Sequence, residues 1–268
     1  MRADLHCHTN YSDGKFTVQE VLTYAEARGL DYLAITDHDT FDGSRIASTL
    51  STSLKLIIGI ELSTYYNDES VHILGYFKNW SQVEALQPFL DNQILKREQR
   101  AYKIIENLQV MHGLHMNTAF LKKLNSITRG SIAREMIRQK LATDNKEIFS
   151  KYLGDHCPAY IPSTKVSTQK GIELIHACGG LAVLAHPMNL RKTDPTDILK
   201  MGVDGLEAIY PTGIDKEGFY RQMAKDFGIF ITAGNDFHAL NDYKHGTIGE
   251  LALSNFDLDI FLGALYES

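Results

Sequence analysis

Short apolar runs of strand length alternate with amphipathic segments of helical length over most of the chain. Thr17 and Glu20 form a capping box that begins one such helix, and Gly29 ends it. Helices that separate consecutive strands indicate a mostly parallel sheet, either open or closed into a barrel. Seven strands are predicted in this way, at residues 3–8, 32–36, 56–62, 71–74, 181–185, 205–209 and 229–232.

The alternation stops between the fourth and fifth predicted strands. Residues 81–165 show only helical periodicity, with helices expected at 89–108, 131–141 and 146–153. The sequence therefore predicts a main α/β domain, open or closed into a barrel, formed by residues 1–80 and 166–268 and interrupted by a helical insertion domain at residues 81–165. No Gly- or Ser-rich linker separates the insertion from the main domain.

Composition and charge exclude several classes of protein. The 268 residues include 27 Lys and Arg against 33 Asp and Glu, and a net charge of −6 disfavours duplex DNA as a partner. No apolar run approaches the length of a membrane span, so no membrane partner is expected. Three cysteines far apart in the chain are typical of a reducing compartment, which favours a cytoplasmic location. No pattern calls for an obligatory protein partner.

Two histidines end the first predicted strand. Because strand side chains alternate, His6 and His8 share one face while Cys7 points to the other. In a closed barrel that face lies at the C-terminal mouth, where active sites of barrel enzymes are found. Taken alone, such a pair is weak evidence for a metal site, because exposed or hydrogen-bonded histidines are more common.

The same feature recurs along the chain, because imidazoles and carboxylates lie on or just after other predicted strands. Packing so many titratable groups together without cations is costly in desolvation and repulsion. Mixed nitrogen and oxygen ligands suit Mn, Fe or Zn better than Ca or Mg. At roughly four protein ligands per ion, with a bridging carboxylate, the set indicates two or three divalent transition-metal ions. The nine candidate metal ligands are His6, His8, Asp13, His38, Glu61, His72, His186, Asp236 and His238.

A cluster of cations predicts both the substrate and the reaction. Three divalent ions would bring more positive charge than three carboxylates neutralise, which favours an anionic substrate, and phosphate is the natural candidate. A hydroxide that bridges two of the ions would then attack phosphorus in line. No Ser, Cys or Lys lies in a nucleophile motif, so no catalytic side chain is predicted beyond the metal ligands.

The segments that contain these residues resemble the PHP (polymerase and histidinol phosphatase) family of metal-dependent phosphoesterases. The resemblance implies a distorted (β/α)7 TIM-like barrel with a trinuclear site. It implies one ion at His6, His8, Glu61 and Asp236, a second at Asp13, His38 and His238, and a third at Glu61, His72 and His186. The matching segments are DLHCHT at 4–9, YSDG at 11–14, ITDHDT at 35–40, GIE at 59–61, VHILGY at 71–76, AHP at 185–187 and GNDFH at 234–238.

Within the family, the insertion ends like that of a stand-alone bacterial subgroup, with FSKYLG at 149–154 and PAYIP at 158–162. This resemblance implies hydrolysis of nucleoside monophosphates or 3′,5′-bisphosphates. Trimming of short RNA from the 5′ end is the first alternative, and histidinol phosphate is another possible substrate. One departure is Asn235, where a serine is common in the family.

Two further groups of residues have open interpretations. Arg129 and Arg134 begin a predicted helix and could clamp a substrate phosphate, although a solvated charged helix explains them as well. Asp4 and Asp37 could orient metal-bound imidazoles or make ordinary strand-end hydrogen bonds. The histidines that fit no ligand pattern are His112, His115, His176 and His245.

Two other classes of protein compete with a phosphoesterase. Amidohydrolases also place a His-x-His pair after the first barrel strand, but they commonly use a bridging lysine where this chain has Glu61. A PHP domain that has lost its ligands would serve as a structural module. All nine ligand positions are filled here, which argues against that interpretation.

Overall fold

The computed structural model describes residues 1–123, 127–242 and 244–267. The chain divides into two compact units. The barrel unit comprises Met1–Gln87 and Val166–Ser268, and the helical unit comprises Pro88–Lys165.

A single sheet forms the centre of the barrel unit, and it contains all seven predicted strands. Its strands are β1 (Arg2–Cys7), β2 (Tyr32–Ile35), β3 (Lys55–Tyr66), β4 (Glu69–Phe77), β5 (Val166–Ser167), β6 (Leu181–Leu184), β7 (Gly205–Ile209), β8 (Phe230–Ala233) and β9 (Leu253–Ser254). They follow the order β8-β7-β6-β4-β3-β2-β1-β9, and β5 pairs with β3. Strands β5 and β9 were not predicted, because two residues are too few to show a period.

The sheet curls until β1 meets the segment that follows β8. The backbone N–H of His8 donates to the carbonyl of Phe237 at 2.9 Å, and that of Asp236 donates to the carbonyl of His6 at 2.8 Å. Gly234 permits this approach, since a Cβ at that position would overlap the Cβ of His6. The predicted barrel is therefore nearly closed.

Among the seven predicted strands, β4 runs against the other six. Strands β3 and β4 pair antiparallel, as do β4 and β6, whereas β1–β2, β2–β3, β6–β7 and β7–β8 are parallel. A tight turn at Asn67 and Asp68, both with positive φ, connects β3 to β4. Because β4 is reversed, His72 near its start lies opposite Ser63 and reaches the rim where the parallel strands end.

The helices of the two units are α1 (Val18–Ala27), α2 (Asp42–Ala47), α3 (Trp80–His112), α4 (Arg129–Arg138), α5 (Asn145–Lys151), α6 (Thr168–Ala177), α7 (Pro195–Leu199), α8 (Glu217–Phe227) and α9 (Asn255–Glu267). The predicted capping box of Thr17 and Glu20 begins α1, whose buried face packs in a core with residues of β1 and β2. Within the described ranges, no helix combines the length and the apolar character needed to cross a membrane.

The helical unit has a core of its own. Ile104 and Leu108 of α3 pack with Ile132 and Met136 of α4 and with Ile148 of α5. These helices lie within two to three residues of the predicted bounds, except that α3 is longer at both ends. The unit begins at Pro88 instead of residue 81, because the first two turns of α3 belong to the barrel unit.

Closure of the barrel at Gly234 predicts a stability difference between two glycine substitutions. We expect Gly234→Ala to lower the free energy of unfolding by about 2 kcal/mol or more, because the added methyl group forces β1 away from the end of β8. Gly218→Ala is the matched control: it lies in α8, faces open space and should raise stability by up to about 1 kcal/mol. Urea unfolding curves that give both variants the same midpoint would contradict this account of closure.

Candidate metal centre

A buried carboxylate, that of Glu61 on β3, lies in the middle of the predicted ligands. Its two oxygens face different groups of imidazoles. Oε1 lies 2.8 Å from Nδ1 of His72 and 3.0 Å from Nε2 of His186. Oε2 lies 3.0 Å from Nδ1 of His38, 3.1 Å from Nε2 of His8 and 3.4 Å from Nε2 of His6.

A second buried carboxylate completes one group of four ligand atoms. Asp236 Oδ1 lies 3.2 Å from Nε2 of His6 and 3.0 Å from Nε2 of His8. Those two nitrogens are themselves 3.2 Å apart, and Glu61 contributes the fourth atom. Separations of this size are expected among atoms that each lie about 2.1 Å from one metal ion. The group contains the same four residues that the family resemblance implies for one ion.

A second group lies on the more open side of the cluster. Asp13 comes from the loop after β1, and its Oδ1 lies 3.2 Å from Nε2 of His238. His38 and His8 complete this group, with all four ligand atoms within 4.8 Å of one another. His8 is thus close enough to join a group that the resemblance restricts to Asp13, His38 and His238.

The third group is centred on Oε1 of Glu61. His38, Glu61 and His72 place ligand atoms within 4.8 Å of one another, and His186 contacts the same carboxylate. His38 faces two groups at once, with Nδ1 toward Glu61 and Nε2 3.8 Å from Asp13. The structure therefore brings all nine candidate ligands into one cluster.

Several atoms at the centre of this cluster are buried and make no hydrogen bond among the described residues. They include His38 Nδ1, Glu61 Oε2 and Asp236 Oδ1. Buried polar atoms in folded proteins are nearly always paired, and an unpaired one costs about 1–3 kcal/mol. Because these atoms converge on one another, divalent cations among them would satisfy them all. The residues present therefore fit a cluster of metal ions.

The pKa values show how strongly these groups interact. Burial alone would raise the pKa of Glu61 and Asp236, but the neighbouring histidines hold the pKa of both carboxyls well below its usual range. Burial opposes the charged form of His8, yet the two carboxylates raise its pKa to about 10. Burial dominates at His38 and lowers its pKa to about 4. The carboxylates thus need positive charge beside them, which protons or metal ions can supply.

The comparison with known proteins agrees with the fold and with the cluster. A PHP domain matches residues 4–155, more than half of the chain. The chain belongs to the PHP family.

Among PHP relatives, the chain is 32% identical to a protein of Haemophilus influenzae named 5′-3′ exoribonuclease, over 88% of this chain and 89% of the relative. It is 26% identical to a 3′,5′-nucleoside bisphosphate phosphatase of Chromobacterium violaceum, over 88% and 87% of the two chains. A crystal structure from Bifidobacterium adolescentis, assigned as a metal-dependent phosphoesterase, superimposes with a TM-score of 0.75 at 25% identity. That alignment covers 98% of this chain and 96% of the other.

A residue that the sequence analysis missed orients one of the candidate ligands. Glu207 on β7 is fully buried, and its two carboxylate oxygens lie 3.0 and 3.2 Å from Nδ1 of His6. The backbone N–H of His186 donates to the same carboxylate at 2.7 Å. With Nδ1–H of His6 donated to Glu207, the lone pair of Nε2 faces Glu61 and Asp236. A single acidic residue inside an otherwise apolar strand was the signal that could have identified it.

The two aspartates proposed as orienting residues have other partners. Asp4 accepts hydrogen bonds from the Asn235 side chain and from the backbone N–H of Gly249. These contacts agree with the interpretation of Asp4 as a residue that makes ordinary strand-end hydrogen bonds. Asp37 accepts hydrogen bonds from Thr9 and Ser12, and the Ser12 hydroxyl lies 3.3 Å from Nδ1 of His8. Asp37 therefore reaches an imidazole only through a hydroxyl.

The backbone has positive φ at two of the candidate ligands. His186 has φ of 27° and Asp236 has φ of 49°, positive values that are uncommon for residues other than glycine. Strained conformations persist where surrounding contacts hold them, and they concentrate at functional sites. Asp236 is held by the hydroxyl of Tyr210, which donates to its Oδ2 at 2.8 Å.

The two arginines proposed as substrate contacts lie in the helical unit. Arg129 begins α4, forms an ion pair with Asp155 and lies over the ring of Tyr160 at 5.0 Å from its centroid. Arg134 lines a cavity of about 390 Å³ together with Phe120. Their role toward a substrate stays a prediction.

The unpaired atoms around Glu61 predict that metal ions stabilise the fold. Adding Mn²⁺ in hundredfold excess over its dissociation constant should stabilise metal-free protein by about 2.7 kcal/mol, which raises Tm by about 5 °C or more. Glu61→Gln should lose most of this shift, because it removes the charge that faces five imidazoles. Glu69→Gln is the matched control, since Glu69 instead binds backbone N–H groups of residues 191–193. Equal Mn²⁺ shifts in the wild type and Glu61→Gln would contradict the site.

Proposed function

We propose that this protein is a metal-dependent phosphoesterase that hydrolyses the phosphate esters of small nucleotides, either nucleoside monophosphates or 3′,5′-bisphosphates. One observation carries the proposal: a buried glutamate, Glu61, turns both oxygens toward five imidazoles from separate strands and loops. Buried carboxylates and imidazoles in such a cluster suit transition-metal ions, and the Chromobacterium violaceum relative is named as a phosphatase of 3′,5′-nucleoside bisphosphates.

The metal content follows from the ligand set. We propose two or three divalent ions, Mn, Fe or Zn, bound by His6, His8, Asp13, His38, Glu61, His72, His186, Asp236 and His238. Bound divalent cations polarise phosphoryl oxygens and lower the pKa of water, which supplies the attacking nucleophile without a nucleophilic side chain. Glu61 would bridge two ions, because its oxygens face two different groups of imidazoles.

The exposure of the ligands indicates how a substrate reaches the cluster. His6, His8 and Glu61 are fully buried, whereas the side chain of Asp13 is 51% exposed and that of His72 is 22% exposed. A phosphate group would therefore approach from the side of Asp13 and His72. Cations bound by the buried ligands would stay in place when a substrate binds. The low-dielectric surroundings would strengthen the attraction between these cations and a phosphoryl group.

Arg129 and Arg134 would contact substrate phosphates, since a guanidinium binds phosphate oxygens in a bidentate manner. A second candidate function is 5′-3′ exonuclease activity on short RNA, which is favoured by the 32% identity to the Haemophilus influenzae relative. Both reactions end in attack of water on a phosphoester, so one centre can serve both.

Two further substrates and the location complete the proposal. Histidinol phosphate and cyclic amides are alternatives that the metal centre alone would accommodate. Among the described residues, Cys7, Cys157 and Cys178 are free thiols, which fits the reducing cytoplasm that we propose as the location.

A panel of substrates assayed with Mn²⁺ tests the function. We expect phosphate release from nucleoside monophosphates or 3′,5′-bisphosphates, and a loss of at least about a hundredfold in kcat/KM for Glu61→Gln. The Glu69→Gln control should retain activity. Shortening of 5′-phosphorylated RNA would show that the protein has the alternative activity, that of a 5′-3′ exonuclease. Activity confined to histidinol phosphate would overturn the nucleotide assignment, and activity confined to cyclic amides would overturn the phosphoesterase.

The contact between Glu207 and His6 predicts a second effect on metal binding. Glu207→Gln keeps the size of the side chain but weakens the hydrogen bond that orients the imidazole, so Mn²⁺ affinity should fall by about 10- to 100-fold. Equilibrium dialysis followed by elemental analysis measures the change. Glu217→Gln on α8, which removes a half-buried ion pair with Arg221, should leave the affinity unchanged. Equal affinity in Glu207→Gln and the wild type would show that this carboxylate does not act on the centre.

A further inference from the structure

An additional imidazole, His245, lies beside the nine candidate ligands in the loop between β8 and β9. The ring of His238 stacks on the ring of His8, with centroids 4.2 Å apart. The ring of His245 in turn stacks on the ring of His238, with centroids 4.3 Å apart. The three rings therefore form a continuous row from the buried interior to the rim. The side chain of His245 is 22% exposed, so solutes can reach it.

The two nitrogens of His245 face two different carboxylates. Nδ1 lies 2.9 Å from Oδ2 of Asp242, within hydrogen-bond distance. Nε2 lies 3.6 Å from Oδ2 of Asp236, which is too far for a hydrogen bond. With Nδ1–H donated to Asp242, the lone pair of Nε2 is left on the side of Asp236. This is the arrangement that Glu207 gives His6, and it is typical of histidines that bind metal.

The surroundings of Nε2 distinguish His245 from an ordinary surface histidine. His176 also pairs with an aspartate, Asp204, at 2.7 Å, but it lies away from the cluster on α6. In contrast, His245 places a ligand atom within 4.8 Å of ligand atoms of both Asp236 and His238. Two imidazoles and a carboxylate with this spacing form a group of ligand atoms that can hold a cation.

We propose that His245 is a tenth metal ligand of this centre and binds a divalent ion through Nε2, together with Asp236 and His238. Asp242 is its positioning residue, because it fixes the tautomer and the orientation of the ring. The inference rests on the proposed metal-dependent function, and it adds a ligand outside the set that the family motifs define.

The decisive variant is His245→Phe, which retains a ring to stack on His238 and removes both nitrogens. Metal-free protein is dialysed against increasing Mn²⁺, and bound metal is counted by elemental analysis. Relative to the wild type, we expect His245→Phe to lose one ion or to bind one at least about tenfold more weakly. Asp242→Asn should weaken the same ion to a smaller extent. The visible absorption of the Co²⁺-loaded protein should also change in His245→Phe, because the loss of a nitrogen ligand alters the coordination of Co²⁺.

Matched controls separate ligation from stacking and from general damage. His176→Phe removes the comparable surface histidine and should leave the number of bound ions, their affinity and the Co²⁺ spectrum unchanged. Unchanged binding and an unchanged spectrum in His245→Phe would overturn the proposal, and so would equal losses in His176→Phe. If the wild type itself binds no divalent ion, the proposed function fails as well. If the wild type binds ions and only His245→Phe is without effect, the role of His245 alone fails.

Discussion

The structure depends on how a buried, charged carboxylate is satisfied. Glu61 lies on β3 and is surrounded by imidazoles, and its Oε2 makes no hydrogen bond among the described residues. Removing such a group from water costs several kcal/mol, and attraction to neighbouring positive charge must recover that cost. Protonated histidines can do this in part, but burial keeps the pKa of His38 low, so protons do not serve every position. Divalent ions among the same atoms satisfy the carboxylates and use the imidazoles in their neutral form.

The barrel topology brings the necessary atoms together. Parallel strands end at one rim, which places His6, His8 and Glu61 side by side even though β1 and β3 are far apart in sequence. Two local features complete the ring. Gly234 lets β1 approach the end of β8, which carries Asp236 into the centre, and the reversed strand β4 directs His72 to the same rim. A shift of one residue in the pairing of β4 with β3 would turn His72 to the opposite face of the sheet.

Much of this arrangement could be predicted from the sequence because the ligands follow the strand pattern. The seven strands and the family were predicted and are confirmed, since period-2 apolar runs and the His-x-His and Asp-x-His pairs are local features. The direction of β4 could not be predicted, because it depends on which neighbour it pairs with. Glu207 was missed although an acidic residue in a buried strand is a visible signal. His245 was not predicted as a ligand, because it lies in a loop without a helical or strand pattern. The fold places its ring against that of His238.

We propose that Glu61 bridges metal ions, and diffraction from Mn²⁺-loaded crystals tests this role most directly. Anomalous difference maps recorded at the manganese absorption edge locate the ions without reference to the protein. Our account predicts separate peaks within bonding distance of Oε1 and of Oε2 of Glu61, each also beside imidazole nitrogens. Full Mn²⁺ occupancy elsewhere on the protein, with no peak next to either oxygen of Glu61, would contradict it.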